Sequence, residues 1–162
     1  MSIKRVAIVA SSRVPFTKSF THYSDCSGQE MMTAVLKNLV EKMKLEGKAV
    51  GDVSLGAVFM HSTDWNLARE CVLGSGLAAE TPGFDIRRAC GTSLESTIAI
   101  ANKIALGQIE SGIAGGLDTN SDLALEFKTS FVKKILSLNS SRSNSARIKA
   151  LLKFRPSDFK PK

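Results

Sequence analysis

The sequence is short of the residues that would staple it or ligate a metal. Its 162 residues include three cysteines, Cys26, Cys71 and Cys90, and two histidines, His22 and His61. An odd cysteine count without a Cys-x-x-Cys pair excludes a disulfide framework and a zinc site as organising features, and it fits a reducing compartment. Aromatic residues amount to 6%, with one Trp and one Tyr, so a surface that stacks nucleic-acid bases lacks its material. No run approaches the roughly 20 apolar residues that span a bilayer. The short apolar stretch after Lys4-Arg5 is also too brief for a signal-peptide core. The expectation is a cytoplasmic protein with no membrane span and no nucleic-acid partner.

What is present is ordinary for a folded domain: 43% hydrophobic and 23% charged residues, on a chain long enough to bury about 70% of its unfolded surface. The net charge of +7 is unevenly placed. Residues 1–125 carry 12 Lys and Arg against 13 Asp and Glu, whereas residues 126–162 carry 10 against 2. The basicity belongs to the tail, so the chain divides into a core-forming domain, residues 1–122, and a basic tail, residues 123–162.

Apolar patterning in the first part alternates between strand and helix. Residues 3–10 form a compact β-branched run, the pattern of a strand buried on both faces of a parallel sheet. Ser27 and Glu30 have capping-box spacing, and Met31/Met32, Val35/Leu36, Leu39/Val40 and Met43 continue as a helix with Gly47 as its stop. A second strand is expected over 53–60, with Gly56 inside it as a weak point or a site of close approach. Asp64 is the expected cap of a short helix with the buried stripe Leu67, Ala68, Cys71 and Val72, halted by Gly74 and Gly76. Residues 83–88 read as the third strand. Cys90 then opens a helix that is apolar almost all round, through Leu94, Ile98, Ala101 and Ala105 and the flanking Ala99, Ile100, Ile104 and Leu106. Such a helix belongs at the centre of a molecule. Residues 113–116 form a fourth strand ending in a glycine pair. The order β-α-β-α-β-α-β predicts a layered α/β domain, its sheet mostly parallel and its crossovers right-handed. In the tail, Phe127, Phe131, Ile135 and Leu138 have helical spacing. Residues 137–145 read as a serine-rich linker, followed by a short amphipathic piece with Ile148, Leu151 and Leu152 and by an end without a closing element.

Ligands of such sheets lie beyond the carboxyl ends of the strands, and Cys90 follows the third strand. A cysteine at a strand-to-helix junction has the helix's unpaired N–H groups beside its sulfur, which favours thiolate over thiol. Arg87 and Arg88 precede it, Gly91 permits close backbone approach, and Thr92 and Ser93 leave room for a substrate. A nucleophilic cysteine also needs a general base and an oxyanion hole. His61, directly after the second strand, is the candidate base on the same sheet edge, and the Cys90 N–H is a candidate oxyanion donor. The opposing reading makes Cys90 a small buried residue. Cys71, within an apolar stripe, and Cys26, in a loop, read as structural. Gly115-Gly116 lacks the context of a nucleotide loop and reads as a tight turn.

At these residues the sequence resembles the N-terminal half of a thiolase, an acetyl-CoA acyltransferase or acetyltransferase. The likeness runs through VAIVASSRVPF, NLARECVLGSGLA and PGFDIRRACGTSLESTIAIANKIALGQIESGIAGGLD, and so covers roughly the first 120 residues. It implies a thiolase-like layered α-β-α half with a mostly parallel sheet and a central buried helix. It also implies acyl transfer between CoA thioesters, by thiolytic cleavage of a 3-ketoacyl-CoA or Claisen condensation of acyl-CoA. Cys90 would be the acylated catalytic residue and its N–H part of the oxyanion hole. Coenzyme A and acyl-CoA would enter as substrates, with no resident cofactor and no metal, and the protein would be a homo-oligomer.

The chain departs from the family pattern at Gly116-Leu117-Asp118 and Asn120-Ser121, where Gly-Gly-x-Glu and Met-Ser are usual, and at Gly91-Thr92-Ser93. The family's second half supplies a Gly-His-Pro histidine and a Cys-x-Gly cysteine that move protons, and neither is expected in this chain. It would then be a truncated, largely inactive half, its tail the start of a CoA-binding insertion. A different class of function is a non-catalytic module whose basic tail binds CoA or an acidic partner. A decarboxylating ketoacyl synthase is a third reading and would need two histidines from outside this sequence.

Overall fold

The computed structural model describes residues 4–61, 63–123 and 126–160. Two compact units divide the chain, Met1–Leu123 and Ala124–Lys162.

The first unit has the element order α1 (Gly28–Met43), β1 (Asp52–Leu55), α2 (Leu67–Ser75), β2 (Gly83–Asp85), α3 (Thr92–Ala105) and β3 (Gly112–Ala114). The three strands are all parallel in the order β2-β1-β3, with Val53 opposite both Gly83 and Ile113. The first crossover runs from the central strand β1 to the edge strand β2, and the second returns from β2 past β1 to β3 in the opposite direction, so the right-handed rule sends α2 and α3 to opposite faces. The side chains of β1 show the same division with a period of two. Val53 and Leu55 enter the core cluster with Met32, Leu36 and Val40 of α1 and Leu67, Ala68, Cys71 and Val72 of α2. On the other face Asp52 pairs with Lys103 of α3, whose ammonium also lies 4.4 Å from the centre of the Phe84 ring. The apolar core therefore lies between the sheet and α1/α2, where each fully buried aliphatic side chain contributes about 1.5–3 kcal/mol.

Local chemistry explains where the helices begin and end. Ser27 and Glu30 form the capping box of α1. Its end is set by Lys44 rather than Gly47. Lys44 takes the left-handed conformation at φ 55°, and the N–H groups of Lys44 and Leu45 donate to Glu41 and Val40 at 3.1 and 2.9 Å. These two bonds satisfy carbonyls the helix would otherwise leave open. Helix α2 is capped by Asn66, which accepts from the Arg69 N–H, and not by Asp64. Gly76 ends α2 at φ 90°, while Gly74 lies within it.

Further sequence expectations fail in this unit, beginning with the strands expected over 83–88 and 113–116, which are observed as Gly83–Asp85 and Gly112–Ala114. Ile3 lies outside the described residues, and residues 4–10 form no strand: Ile8 is 82% exposed and Val9 79%. Both sides of β1 are already taken by β2 and β3, and the segment bonds instead to helices, with the Lys4 N–H donating to Ala105 and Ser12 Oγ donating to Asn38. Strand β1 stops at Leu55 instead of reaching residue 60, because the N–H groups of Val58 and Phe59 donate to the Asp118 carboxylate at 2.8 and 3.0 Å. Finally, α3 is not buried all round. It buries Thr92, Ser96 and Ile100, while Leu94 is 65% exposed and Ile98 43%, since none of the described residues of this unit covers that face.

The second unit contains α4 (Thr129–Ser140), α5 (Asn144–Leu151) and a 3-10 turn (Pro156–Phe159). The serines of 137–145 are helix and cap rather than linker. Ser140 and Ser141 hydroxyls donate to the Ser137 carbonyl, and Ser143 caps α5 by accepting from Ala146. The end is also closed. Asp158 accepts from Lys134 at 2.6 Å and from the Arg155 N–H at 2.7 Å, and Phe159 packs edge-on against Phe131. Among the described residues no helix is long and apolar enough to cross a membrane.

Candidate active site

The surroundings of Cys90 are fixed from two sides. Strand β2 ends on Asp85, whose carboxylate accepts the N–H groups of Leu67 and Ala68 at 2.9 and 2.8 Å and so ties the strand end to the first turn of α2. The Ile86 N–H then donates to Leu55 at 2.9 Å, extending the ladder by one bond. Beneath this crossing sits Gly56. A Cβ there would lie 1.9 Å from the Ile86 oxygen and 2.6 Å from Thr92 Cγ2, so only a residue without a side chain lets the two strand ends meet.

Cys90 lies two residues before the first residue of α3 and does not open the helix itself; Gly91 is the cap position and offers no side-chain bond. The turn is closed by Thr92. Its hydroxyl donates to the Ala89 carbonyl at 2.8 Å and accepts from the Arg88 N–H at 2.9 Å. The Gly91 N–H donates to Arg88 at 2.9 Å and the Thr92 N–H to Ala89 at 3.2 Å. Inside this ring of bonds Ala89 adopts φ 42°, in the left-handed region an alanine enters only at a cost of about 1–2 kcal/mol. The result is a strained, doubly pinned turn that presents Cys90 on the surface as a free thiol. Nothing in the letters Arg-Ala-Cys announces the conformation of Ala89. The signal that could have found the turn is Thr92, a hydroxyl three residues after Ala89 with the reach to bond its carbonyl.

The other two cysteines differ from it. Cys71 is buried in the core, where burial pushes its thiol up to about 11. Cys26 is half-buried before α1. The triplet Cys26-Ser27-Gly28 does spell Cys-x-Gly, against the expectation that the chain holds none, but its serine is the N-cap and its glycine the first residue of α1. No Gly-His-Pro occurs.

His61 is held elsewhere. Its Nε2 lies 3.0 Å from Asp122 Oδ1 and 3.1 Å from the Asp122 carbonyl, while Asp122 Oδ2 accepts the Gly28 N–H at 3.2 Å. Together with Asp118 these bonds tie the loops after β1 and β3 to the start of α1, around a cavity of about 10 Å³ that Cys90 does not line. Among the described residues no side-chain hydrogen bond joins His61 to Cys90, so the two residues proposed as base and nucleophile are not brought together. Sequence reasoning passed over Asp122 in this cluster and met Asp118 only as a departure from the family pattern, because single aspartates in loops carry no pattern. The Gly115-Gly116 pair serves close approach: a Cβ on Gly116 would meet Ser93 Cβ at 3.0 Å. Among the described residues no group of three or more His, Cys, Asp or Glu side chains is arranged to hold a metal ion.

Comparison with known proteins places this architecture. The family model described as thiolase, N-terminal domain, matches residues 6–156. The 3-ketoacyl-CoA thiolase of Photorhabdus laumondii is 35% identical over 153 residues, covering 93% of this chain and 35% of the relative. That of Shewanella sp. strain W3-18-1 is 33% identical over 158 residues, covering 98% and 36%. Among solved structures, the acetyl-CoA acetyltransferase of Bacillus anthracis superposes with a TM-score of 0.74 at 26% identity, over 78% of this chain and 32% of that one. The chain thus spans about a third of the length of the relatives it matches.

Proposed function

The chain belongs to the thiolase family, and from that premise we propose that it carries the acyl-accepting cysteine of an acyltransferase working on CoA thioesters, with Cys90 as the nucleophile. The observation that supports this most is the turn itself. An exposed thiol is held by a strained residue and a two-way threonine bond at the carboxyl edge of a parallel sheet. Strain retained at one residue against its intrinsic preference marks a position whose conformation is used.

The chemistry follows from a thiolate at that place. In the cleavage direction the sulfur attacks C3 of a 3-ketoacyl-CoA, and the C2–C3 bond breaks with its electron pair going to C2. A proton at C2 completes acetyl-CoA, and the shortened acyl group remains on sulfur as a thioester. The thiolate of a second coenzyme A then attacks that carbonyl and releases Cys90. The Cys90 N–H is the donor for the developing oxyanion, since those of Gly91 and Thr92 are already engaged by Arg88 and Ala89. Each transfer needs a proton donor and acceptor, and His61, engaged by Asp122, is not assigned either role. As these 162 residues alone, the chain is therefore expected to be acylated once, without efficient turnover.

Incubation of the chain with acetyl-CoA, followed by peptide mapping, tests the assignment. Acetyl adducts are expected on Cys90 and not on Cys26 or Cys71, with none in Cys90→Ser. Equal modification of Cys26 and Cys90 would overturn it.

A further inference from the structure

Strands β1 and β3 stay joined beyond their last residues. The Gly115 N–H donates to Ser54 at 2.9 Å and the Leu117 N–H to Gly56 at 3.0 Å. A side chain then closes this ladder: one carboxylate oxygen of Asp118, Oδ1, accepts the N–H groups of both Val58 and Phe59. Two glycines of the joined segment form a floor under the Cys90 turn. Gly56 lies against Ile86 and Thr92, and Gly116 lies against Ser93, whose Cβ and Cα would stand 3.0 and 3.3 Å from a Cβ at Gly116. The same point is 3.2 Å from the Gly56 oxygen, so the two glycines also face each other. Thr92 and Ser93 are the first two residues of α3, and Thr92 bonds both Arg88 and Ala89 around Cys90. The path from Asp118 to the cysteine turn is thus made of hydrogen bonds and of contacts too close to admit a methyl group.

We propose that Asp118 is a positioning residue for acyl transfer to Cys90, acting through the floor that Gly56 and Gly116 make. The proposal rests on the reading of Cys90 as the nucleophile. In that step the Cys90 sulfur bonds to the acyl carbon, and the carbonyl electron pair moves to oxygen. It returns as the bond to the coenzyme A sulfur breaks, and the proton of the Cys90 thiol ends on the released coenzyme A. The oxyanion formed on the way needs its donor at a fixed place, and a misplacement of about 1 Å can cost about 100-fold in rate. The Cys90 N–H belongs to a turn that Thr92 sets, Thr92 rests on Gly56, and Asp118 fixes the loop that follows Gly56. Its bonds are charge-assisted, and so hold that loop more firmly than a neutral acceptor would. Among the described residues Asp118 pairs with no Lys, Arg or His, so both of its recorded bonds serve this one junction. Asp118 is also exposed. Removing its carboxylate empties no core, and the effect is expected at the turn rather than across the fold.

The test follows acetylation of Cys90 in the full chain over a range of acetyl-CoA concentrations, by peptide mass, and separately its alkylation by iodoacetamide. Alkylation needs the thiolate but forms no oxyanion, so it reports the sulfur without the alignment. For Asp118→Ala the maximal acetylation rate is expected to fall at least about tenfold at an unchanged half-saturating concentration, with alkylation within about twofold of the parent. Asp118→Asn keeps an acceptor oxygen without the charge and is expected to fall between the two. An Asp118→Ala acetylation rate within about twofold of the parent overturns the proposal. So does an equal loss of acetylation and alkylation, which marks a merely structural role. Should circular dichroism show Asp118→Ala unfolded, Asp118→Asn decides, and a rate within about twofold of the parent again overturns it. A parent chain that is not acetylated at Cys90 refutes the nucleophile reading and this proposal together, whereas a parent acetylated there and indifferent to residue 118 refutes this proposal alone.

Discussion

Replacing Gly56 by alanine tests the packing beneath the Cys90 turn more directly than any change at the cysteine. The new methyl would stand 1.9 Å from the Ile86 carbonyl oxygen and 2.6 Å from Thr92 Cγ2, where ordinary contact begins at 3.4 Å. Relief therefore requires a shift of about 1.5 Å in backbone that is bonded to Leu55 at one point and to α2 through Asp85 just before it. Overpacking of a tight site costs about 1–3 kcal/mol, and loss of the Ile86–Leu55 bond adds about 1 kcal/mol. The sum of about 3 kcal/mol corresponds to a fall of roughly 10 °C in Tm for a domain of this size. Thermal unfolding followed by circular dichroism measures it, with Gly91→Ala as the control, since a Cβ there meets nothing nearer than the Arg88 oxygen at 3.4 Å and φ is −95°. A Gly56→Ala protein within about 0.5 kcal/mol of the parent would refute the claim that this crossing admits only glycine.

Thr92→Val keeps shape but takes the hydroxyl acceptor from the Arg88 N–H and leaves the Ala89 carbonyl only the Thr92 N–H; a loss of about 1–2 kcal/mol in urea unfolding and slower acylation of Cys90 are expected, and unchanged values would remove the threonine from the turn's account. Cys71 gives a pH signature. Below pH 9 both folded and unfolded states hold the proton, whereas between 9.0 and about 11 only the unfolded chain releases it, so stability falls by roughly 2–3 kcal/mol across that window. Cys71→Ala, compared over the same range, should lack this increment of alkaline loss. The exposed Val6, Ile8 and Val9 of the N-terminal segment and Leu94 and Ile98 of α3 should drive self-association. Light scattering is expected to show oligomers that Leu94→Glu/Ile98→Glu reduces, and a parent chain that stays monomeric at high concentration would contradict this.

Much of the helical structure was legible because its causes are local. The Ser27/Glu30 box and the Leu67, Ala68, Cys71, Val72 stripe each rest on residues within two turns of one another, and both occur as read. What the sequence hid depends on partners far along the chain. Residues 4–10 have the composition of a buried strand, yet pairing is decided by which strands flank β1. Helix α3 is apolar on several faces, and composition says nothing of which faces this chain covers. The serines around Ser140 read as a linker, because a residue that terminates helices and one that caps them look alike until the bonded carbonyl is known. At the site, the position of Cys90 after a strand was plain, whereas the left-handed Ala89 and the capture of His61 by Asp122 depend on geometry that no single residue type encodes.

The two faces of β1 divide the first unit into layers of unequal cohesion. One face is sealed by aliphatic side chains from α1 and α2; the other meets α3 through Asp52, Ser54 and Gly56, with the hydroxyls of Ser54 and Ser96 buried and without a partner among the described residues. Hydrogen exchange should register this as two cooperative units. Amides of α1, α2 and β1 would exchange only when the whole unit unfolds, while those of α3 would exchange through a cheaper opening in which the helix lifts from the sheet and carries its end of the Cys90 turn with it.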